Sequence, residues 1–332
     1  MSEVILKSSK VLITGGAGFI GSNIIEKLLS QDNYVICLDN LATGKMANLD
    51  LFFQNSNFKF IKGDIRDFQT CTEACKGIDI VLHQAALGSV PRSINDPITT
   101  NQVNIDGFVN MLIAARDNNV KRFVYAASSS TYGDSTELPK HENRIGNPLS
   151  PYAITKYVNE LYAKVFGELY GMETIGLRYF NVFGKNQDPD GAYAAVFPKF
   201  VKILLKHQSP IIHGDGTQSR DFTYIANVVQ ANELAATTSN PDAINTVFNI
   251  AYGESNSLND ITSELIEALS DFDPEIAKIK PTYGPPRAGD IKDSLASIKK
   301  AEEFLGYKPL FNVHQGLKLA VRWYYENLKP NL

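Results

Sequence analysis

Tyr152 and Lys156 stand four residues apart. On a helix that spacing puts a phenol and an ammonium on one face. An ammonium beside a phenol favours the phenolate and lowers its pKa toward working pH, so the pair predicts a base, Tyr152, assisted by Lys156. Ser128, Ser129 and Ser130 follow the run Arg122–Ala127. A hydroxyl from that cluster could hold a substrate oxygen while Tyr152 takes its proton. Taken alone, Y-x-x-x-K is a frequent accident, a packed tyrosine followed by a solvated lysine.

The amino-terminal motifs give the pair its context. Gly15, Gly18 and Gly21 fall in G-x-x-G-x-x-G spacing, with Gly16 beside the first and Phe19 and Ile20 before the last. Between a strand and a helix, such glycines let the backbone turn and approach a pyrophosphate, and the helix starting near Phe19 offers free N–H groups and its positive dipole end. Asp39 follows Gly21 by 18 residues, at the end of the next strand. Its carboxylate suits both hydroxyls of an adenosine ribose and would repel a 2′-phosphate, so NAD is expected rather than NADP. Asp64, before Ile65, is placed to meet the adenine edge, though it could equally cap the next helix. Ala85 and Ala86 are small enough to let a cofactor lie close. Lys156 can also reach the nicotinamide ribose.

Positioning such residues takes a particular scaffold. Runs at Lys10–Thr14, Tyr34–Leu38, Phe58–Lys62, Ile78–His83, Arg122–Ala127 and Thr174–Arg178 read as strands. Ser22–Ser30, Thr70–Lys76 and Asn101–Asn118 read as helices between them. The alternation predicts an α/β fold, a doubly wound parallel Rossmann sheet whose ligands sit at the carboxyl ends of the strands. After about residue 180 the rhythm changes. Gly184–Gly191, Ile212–Phe222 and Pro281–Asp290 read as loops among the helices Val196–His207, Asn227–Ala236, Asn259–Leu269, Ile298–Leu305 and His314–Asn327. The expected division is a NAD-binding domain over 1–180 and a smaller mixed substrate lobe over 181–332, with the strand near 247–250 returning to the sheet.

Composition narrows the classes. At 332 residues, 44% hydrophobic and 20% charged, the chain can bury a sizeable core and is not a disordered tail. Its net charge of −4 weighs against nucleic acid as a partner. Three cysteines, Cys37, Cys71 and Cys75, cannot form a disulfide framework, and with no second pair near Cys71 and Cys75 no metal site is expected. No apolar stretch approaches the roughly 18 residues of a membrane span, so no membrane partner and a cytoplasmic location are expected.

Taken in order, the glycine loop, Asp39, Asp64-Ile65, Ser128 through Gly133, Tyr152 through Lys156, and Arg178-Tyr179-Phe180-Asn181 resemble the extended short-chain dehydrogenase/reductase family, specifically its nucleotide-sugar 4-epimerases. Within these the chain most resembles the bacterial UDP-N-acetylglucosamine 4-epimerase branch. The resemblance implies Ser128, four before Tyr132, as the catalytic hydroxyl beside Tyr152 and Lys156. It implies NAD contacts from Gly15, Gly18, Phe19, Ile20, Gly21, Asp39, Asn40, Gly44, Asp64, Ile65, Gln84, Ala85, Ala86, Tyr152, Lys156 and Tyr179. Galactose-type members carry a lysine two residues after the small pair. Here Leu87 is followed by Gly88 and Ser89, a loop that touches the sugar in the acetylated branch.

On the substrate side the resemblance makes Arg220 and Arg287 clamps for the phosphates or ribose of a UDP-sugar, where a guanidinium fork suits phosphate oxygens. Asn181 would donate to the phosphate. Ala195, Val196, Lys199 and Phe200 would frame the uracil, with Ile211 and His213 finishing that wall, although a core or surface position for His213 is an equal reading. Ser129 and Ser130 would be auxiliary or structural. Ser294 replaces a tyrosine of galactose-preferring members and leaves room for an acetamido group. The implied reaction is redox-neutral 4-epimerisation through a 4-keto sugar, with NAD regenerated and retained. An N-acetylated uronate or an unacetylated hexose are alternative substrates, and a non-catalytic NAD-binding protein is the remote one. A 4,6-dehydratase would need an acidic pair where Ser129-Ser130 stand. A homodimer through a four-helix contact of Asn101–Asn118 and Tyr152–Tyr170 is implied.

Overall fold

The structure, a computed structural model, describes residues 6–189, 196–286 and 292–329. In chain order the first part comprises β1 (Lys10–Thr14), α1 (Phe19–Leu29), β2 (Tyr34–Asp39), β3 (Phe58–Lys62), α2 (Phe68–Ala74), β4 (Ile80–His83), α3 (Val90–Asn95), α4 (Pro97–Asn101), α5 (Gly107–Asp117), β5 (Arg122–Ser128), α6 (Pro151–Tyr170) and β6 (Thr174–Tyr179). There follow β7 (Val182–Phe183), α7 (Val196–Leu205), β8 (Ile211–His213), β9 (Ser219–Arg220), β10 (Thr223–Tyr224), α8 (Ile225–Thr237), β11 (Thr246–Ile250), β12 (Asn256–Ser257), α9 (Leu258–Ser270), β13 (Thr282–Gly284), α10 (Lys299–Leu305) and α11 (Val313–Leu328).

The main sheet runs β11-β6-β5-β4-β1-β2-β3, and every pairing in it is parallel. Its strands are apolar on both faces because helices cover both. Val11 and Ile13 of β1 join one core with Ile24, Ile25 and Leu28 of α1 and Val228 of α8. Leu12, pointing the other way, joins a second core with Phe108 and Met111 of α5. Strand order reverses between β1 and β4, where β1 leads outward to β2 and β4 to β5. That reversal opens a crevice at the carboxyl edge. The strand expected near 247–250 does return, as β11 beside β6. A third core, built from Phe197, Phe200 and Val201 of α7, Ile261 and Leu265 of α9, and Leu317 and Val321 of α11, belongs to the later lobe. All three cysteines are buried and unpaired.

Several elements depart from the sequence reading. The helix expected over Asn101–Asn118 is interrupted, because Gln102–Asp106 form a π-helical turn between α4 and α5. That turn buries Asn104, whose amide oxygen accepts from the Leu87 N–H at 2.8 Å and whose Nδ2 donates to Thr155 Oγ1 at 3.1 Å. A widened turn of this kind lets a polar side chain be aimed at a loop. Asp67, not Asp64, caps α2 by accepting from the Gln69 N–H. The stretches Ile212–Phe222 and Pro281–Asp290 are not pure loop. β8 pairs with β13, and β9 with β12, in strands of two or three residues. Among the described residues no helix is long and apolar enough to cross a membrane.

α6 begins where its sequence dictates. Ser150 accepts from the Ala153 N–H, Pro151 occupies the first turn, and Gly171 ends the helix in the left-handed region. Tyr152 therefore lies in the first turn, next to the serine-rich turn after β5. That turn closes at Gly133, whose φ is +52° and where an added Cβ would come within 1.8 Å of the Asn147 carbonyl oxygen. Gly133→Ala is expected to lower stability by about 1–3 kcal/mol. Thermal unfolding measures this, and an unchanged melting temperature would show that the turn yields freely.

Candidate active site

At the crevice, a cleft of about 360 Å³ is lined by Gly15, Gly18, Phe19, Ile20, Gly21, Asp39, Asn40, Asp64, Ile65, Gln84, Ala85, Ala86 and Gly88, among others. Gly15 has φ +69°, and a Cβ there would sit 2.7 Å from the Ala85 backbone; a Cβ on Gly21 would sit 2.3 Å from the Gly15 oxygen. Only glycine permits both approaches. Gly18 caps α1 without a side chain to satisfy the first-turn N–H groups. Those groups have no partner within a helix either, so they are left to an anion at the cleft floor. The residues fit a dinucleotide pyrophosphate on this ground. Gly44 does not line the cleft but presses on Ala17 and the Asp39 carboxylate.

Asp39 is nearly buried and accepts from the N–H groups of Ala17 (3.0 Å) and Leu41 (2.8 Å). Burial raises its pKa and the two N–H donors pull it back. The Asp64 carboxylate is gripped by the Arg66 guanidinium, with Nη2 to Oδ2 at 2.7 Å, and accepts from Asn40 Nδ2 at 2.8 Å. The Arg66 hydrogen bond holds it down at about 2. Tyr179 is buried beneath the cleft rather than lining it. Its hydroxyl donates to Gln84 Oε1 at 3.1 Å and accepts from Asn232 Nδ2 at 2.9 Å.

The chemical residues meet at the end of β5. Ser128 Oγ accepts from both the Ser130 N–H (3.2 Å) and the Ser130 hydroxyl (2.9 Å). A hydroxyl has two lone pairs and one proton, so with both pairs engaged its proton is aimed onward. The Ser128 hydroxyl acts on the Tyr152 phenol and pulls its pKa down. Lys156 is buried, and its Nζ donates to the Ala126 carbonyl at 2.8 Å. Tyr152 and Lys156 therefore do reach one strand end from one helix.

The expected electrostatics are corrected. Burial raises the Tyr152 pKa, and it is the Ser128 hydrogen bond that lowers it. Lys156 spends its ammonium on a backbone carbonyl, and burial brings its own pKa down to about 8 against the pull of Glu160.

Most residues expected on the substrate side lie after β6, in the later part of the chain. Asn181, at φ +35°, donates from Nδ2 to the Asp221 carbonyl oxygen at 3.0 Å. Arg220 Nη1 donates to the carbonyls of Ser219 (2.8 Å) and Lys292 (3.0 Å). The Ser294 N–H donates to the same Ser219 oxygen. Ile211 and His213 lie on β8, with His213 Nδ1 3.1 Å from the Pro285 carbonyl oxygen. Val196 and Lys199 start α7, while Phe200 is buried in the lobe core. Ser89 uses its hydroxyl to cap α3. Ala195 and Arg287 lie outside the described residues.

Sequence reasoning missed four supporting residues. Thr14 and His83 bond at 2.9 Å, and Thr14 Oγ1 also accepts from the Ala85 N–H. Asn232 Oδ1 accepts from Gln84 Nε2 at 3.1 Å. Asn104 holds Leu87. Together they fix the loop 84–87 against the cleft. Among the described residues no cluster of His, Cys, Asp or Glu could hold a metal ion.

With this fold and site in view, residues 11–251 match the NAD dependent epimerase/dehydratase family. The chain belongs to that family, and it is an NAD-binding enzyme of the Rossmann type. Three solved structures are similar to it. A UDP-N-acetylglucosamine 4-epimerase from Methanobrevibacter ruminantium M1, in complex with UDP-N-acetylmuramic acid, is 40% identical with a TM-score of 0.89, covering 97% of this chain and 99% of that one. The UDP-glucose 4-epimerase of Thermotoga maritima, with UDP-glucose, is 35% identical at TM-score 0.87, covering 96% and 99%. The UDP-glucuronic acid 4-epimerase of Bacillus cereus, with UDP-glucuronic acid and NAD, is 31% identical at TM-score 0.84, covering 96% and 99%.

The buried His83 makes the site acid-sensitive. Burial, with Lys156 nearby, lowers its pKa from 6.5 to about 3. Between those values the unfolded chain binds a proton that the folded one refuses, so stability falls as pH falls, by up to about 1.4 kcal/mol per pH unit from this ring. His83→Asn is expected to flatten the pH dependence of unfolding of the ligand-free protein between about pH 6 and 4. Equal slopes in denaturant titrations would contradict it.

Proposed function

We propose that the protein interconverts UDP-N-acetylglucosamine and UDP-N-acetylgalactosamine by inverting C4 through a 4-keto sugar. The observation that carries this reading is Tyr152 in the first turn of α6 beside the Ser128–Ser130 turn, with Lys156 anchored to the end of β5, in a fold whose crevice fits NAD. Bound NAD supplies the acceptor that takes up and later returns the C4 hydride. Tyr152 removes the proton of the 4-hydroxyl and gives it back, and Ser128 donates to the oxygen on which charge develops. Asn181, Arg220 and Arg287 hold the diphosphate while the ring turns to present its other face.

The acetylated sugar is favoured over glucose by two features. By the resemblance, Ser294 takes the place of a tyrosine whose bulk would crowd a 2-acetamido group, and Gly88-Ser89 take the place of a lysine in the sugar loop. In the same reading the main sheet serves NAD and the later lobe serves UDP. The enzyme pairs into a homodimer through α6, which leaves Leu161, Val165 and Leu169 exposed along one stripe although each is apolar.

Purified protein is expected to convert UDP-N-acetylglucosamine without added NAD, faster than UDP-glucose or UDP-N-acetylglucosaminuronate. A higher rate on either of the others would reassign the substrate. Tyr152→Phe is expected to lower kcat by about 10²–10⁴-fold while NAD and UDP still bind; full turnover by this variant would end the catalytic reading. Leu161→Glu with Val165→Glu is expected to give a monomer in sedimentation velocity, and an unchanged assembly would place the interface elsewhere.

A further inference from the structure

Asp221 is fully buried, carries a carboxylate, and takes no part in the chemistry at Tyr152. Oδ1 accepts from the N–H groups of Tyr252 and Gly253, each at 3.2 Å, and Oδ2 accepts from Gly253 at 3.2 Å and from Ala296 at 3.1 Å. These donors belong to two segments far apart in sequence, one after β11 and one before α10. The main chain of Asp221 adds a third, since its carbonyl oxygen accepts from Asn181 Nδ2 after β6.

The same three-way seam is stitched around it. The Ser219 N–H donates to the Lys292 carbonyl, and the Ser294 N–H to the Ser219 carbonyl. Ser219 Oγ donates to Asp293 Oδ1 and accepts from Ser255 Oγ, each at 2.7 Å. Arg220, next to Asp221, is held against the carbonyls of Ser219 and Lys292. A buried carboxylate at the centre of converging N–H groups is a fixed point. The donors cannot be resolvated, and an amide in its place offers one acceptor oxygen and presents an NH₂ to N–H groups.

We propose that Asp221 is a positioning residue for the diphosphate grip: its carboxylate locks the segments 219–221, 252–253 and 294–296 together so that Arg220 and Asn181 face one nucleoside diphosphate. This rests on reading the pocket as one for a nucleoside-diphosphate sugar. Asp221 touches neither the cleft lined by Gly15 and Asp39 nor the Tyr152 chain, so its effect falls on substrate affinity and spares NAD retention.

The test compares wild type with Asp221→Asn, both as purified with their NAD, using UDP in calorimetry and the UDP-sugar in steady-state assays. UDP affinity is expected to fall about tenfold or more, with a rise in KM that exceeds the fall in kcat and with bound NAD unchanged. Unchanged UDP affinity, or loss of NAD in step with UDP, overturns the inference. If Asp221→Asn does not fold, Ser219→Ala decides: it unfastens Asp293 and Ser255 from the same wall and is expected to weaken UDP by about two- to fivefold, and no change overturns the inference. If wild type itself binds no UDP, the functional reading fails, and that outcome is separate from a wild type that binds while Asp221→Asn binds equally well.

Discussion

The hydrogen bond from the Lys156 ammonium to the Ala126 carbonyl fastens α6 to the end of β5. A lysine buried this deeply loses most of its hydration, which brings its pKa down to about 8. The contact is kept because the alternative, an unpaired buried ammonium, costs far more than the bond returns. Fastened there, the first turn of α6 brings Tyr152 beside the serine turn, where Ser128 pulls the phenol's pKa down. The closely packed Thr14–His83 pair stands on the neighbouring strands and carries the loop that lines the cleft. The arrangement of one edge of the sheet thus follows from where one ammonium is placed.

Much of this was legible in the chain because parallel strands covered on both faces are continuous apolar runs, and the helices between them carry their own start and stop residues. The helix expected over Tyr152–Tyr170 is α6, which Ser150 caps, Pro151 opens and Gly171 ends. Glycine spacing was informative for a steric reason, since Gly15 and Gly21 stand where a Cβ would collide with backbone. The polar supports were not legible. Asn232 meets Gln84 across 148 positions, and Thr14 meets His83 across 69. Asparagines within a mostly apolar helix such as α8 give no periodic signal of their partners. Nor did spacing reveal the π-turn at Gln102–Asp106, because a widened turn leaves the apolar pattern of its flanks intact.

The later lobe was harder to read for a related reason. Strands of two or three residues, such as β9 with β12, contain too few positions for alternation to show, and their stretches are rich in glycine and serine. What holds them is polar: hydroxyls, backbone N–H groups and the Asp221 carboxylate, rather than a shared apolar face. The surroundings of Lys156 were hidden for the same reason: four-residue spacing sets it on one helix face with Tyr152, but the carbonyl its ammonium meets, that of Ala126, lies 30 positions away.

These two halves impose opposite demands on a reaction that must show both faces of one sugar carbon to one base. The base has to be fixed, because a proton transferred over a lengthened hydrogen bond is transferred slowly, and the anchoring of α6 through buried Lys156, beside buried Ser128, fixes it. The sugar ring has to turn, so the grip must fall on the diphosphate and not on the ring. A wall of short strands stitched by hydrogen bonds suits that division. It is rigid where Asp221 gathers the N–H groups of three residues, without a bulky apolar face of its own. A bulky, apolar wall would bury more surface and hold one face of the ring better than the other, which would favour a one-way oxidation over a return of the hydride to the opposite face.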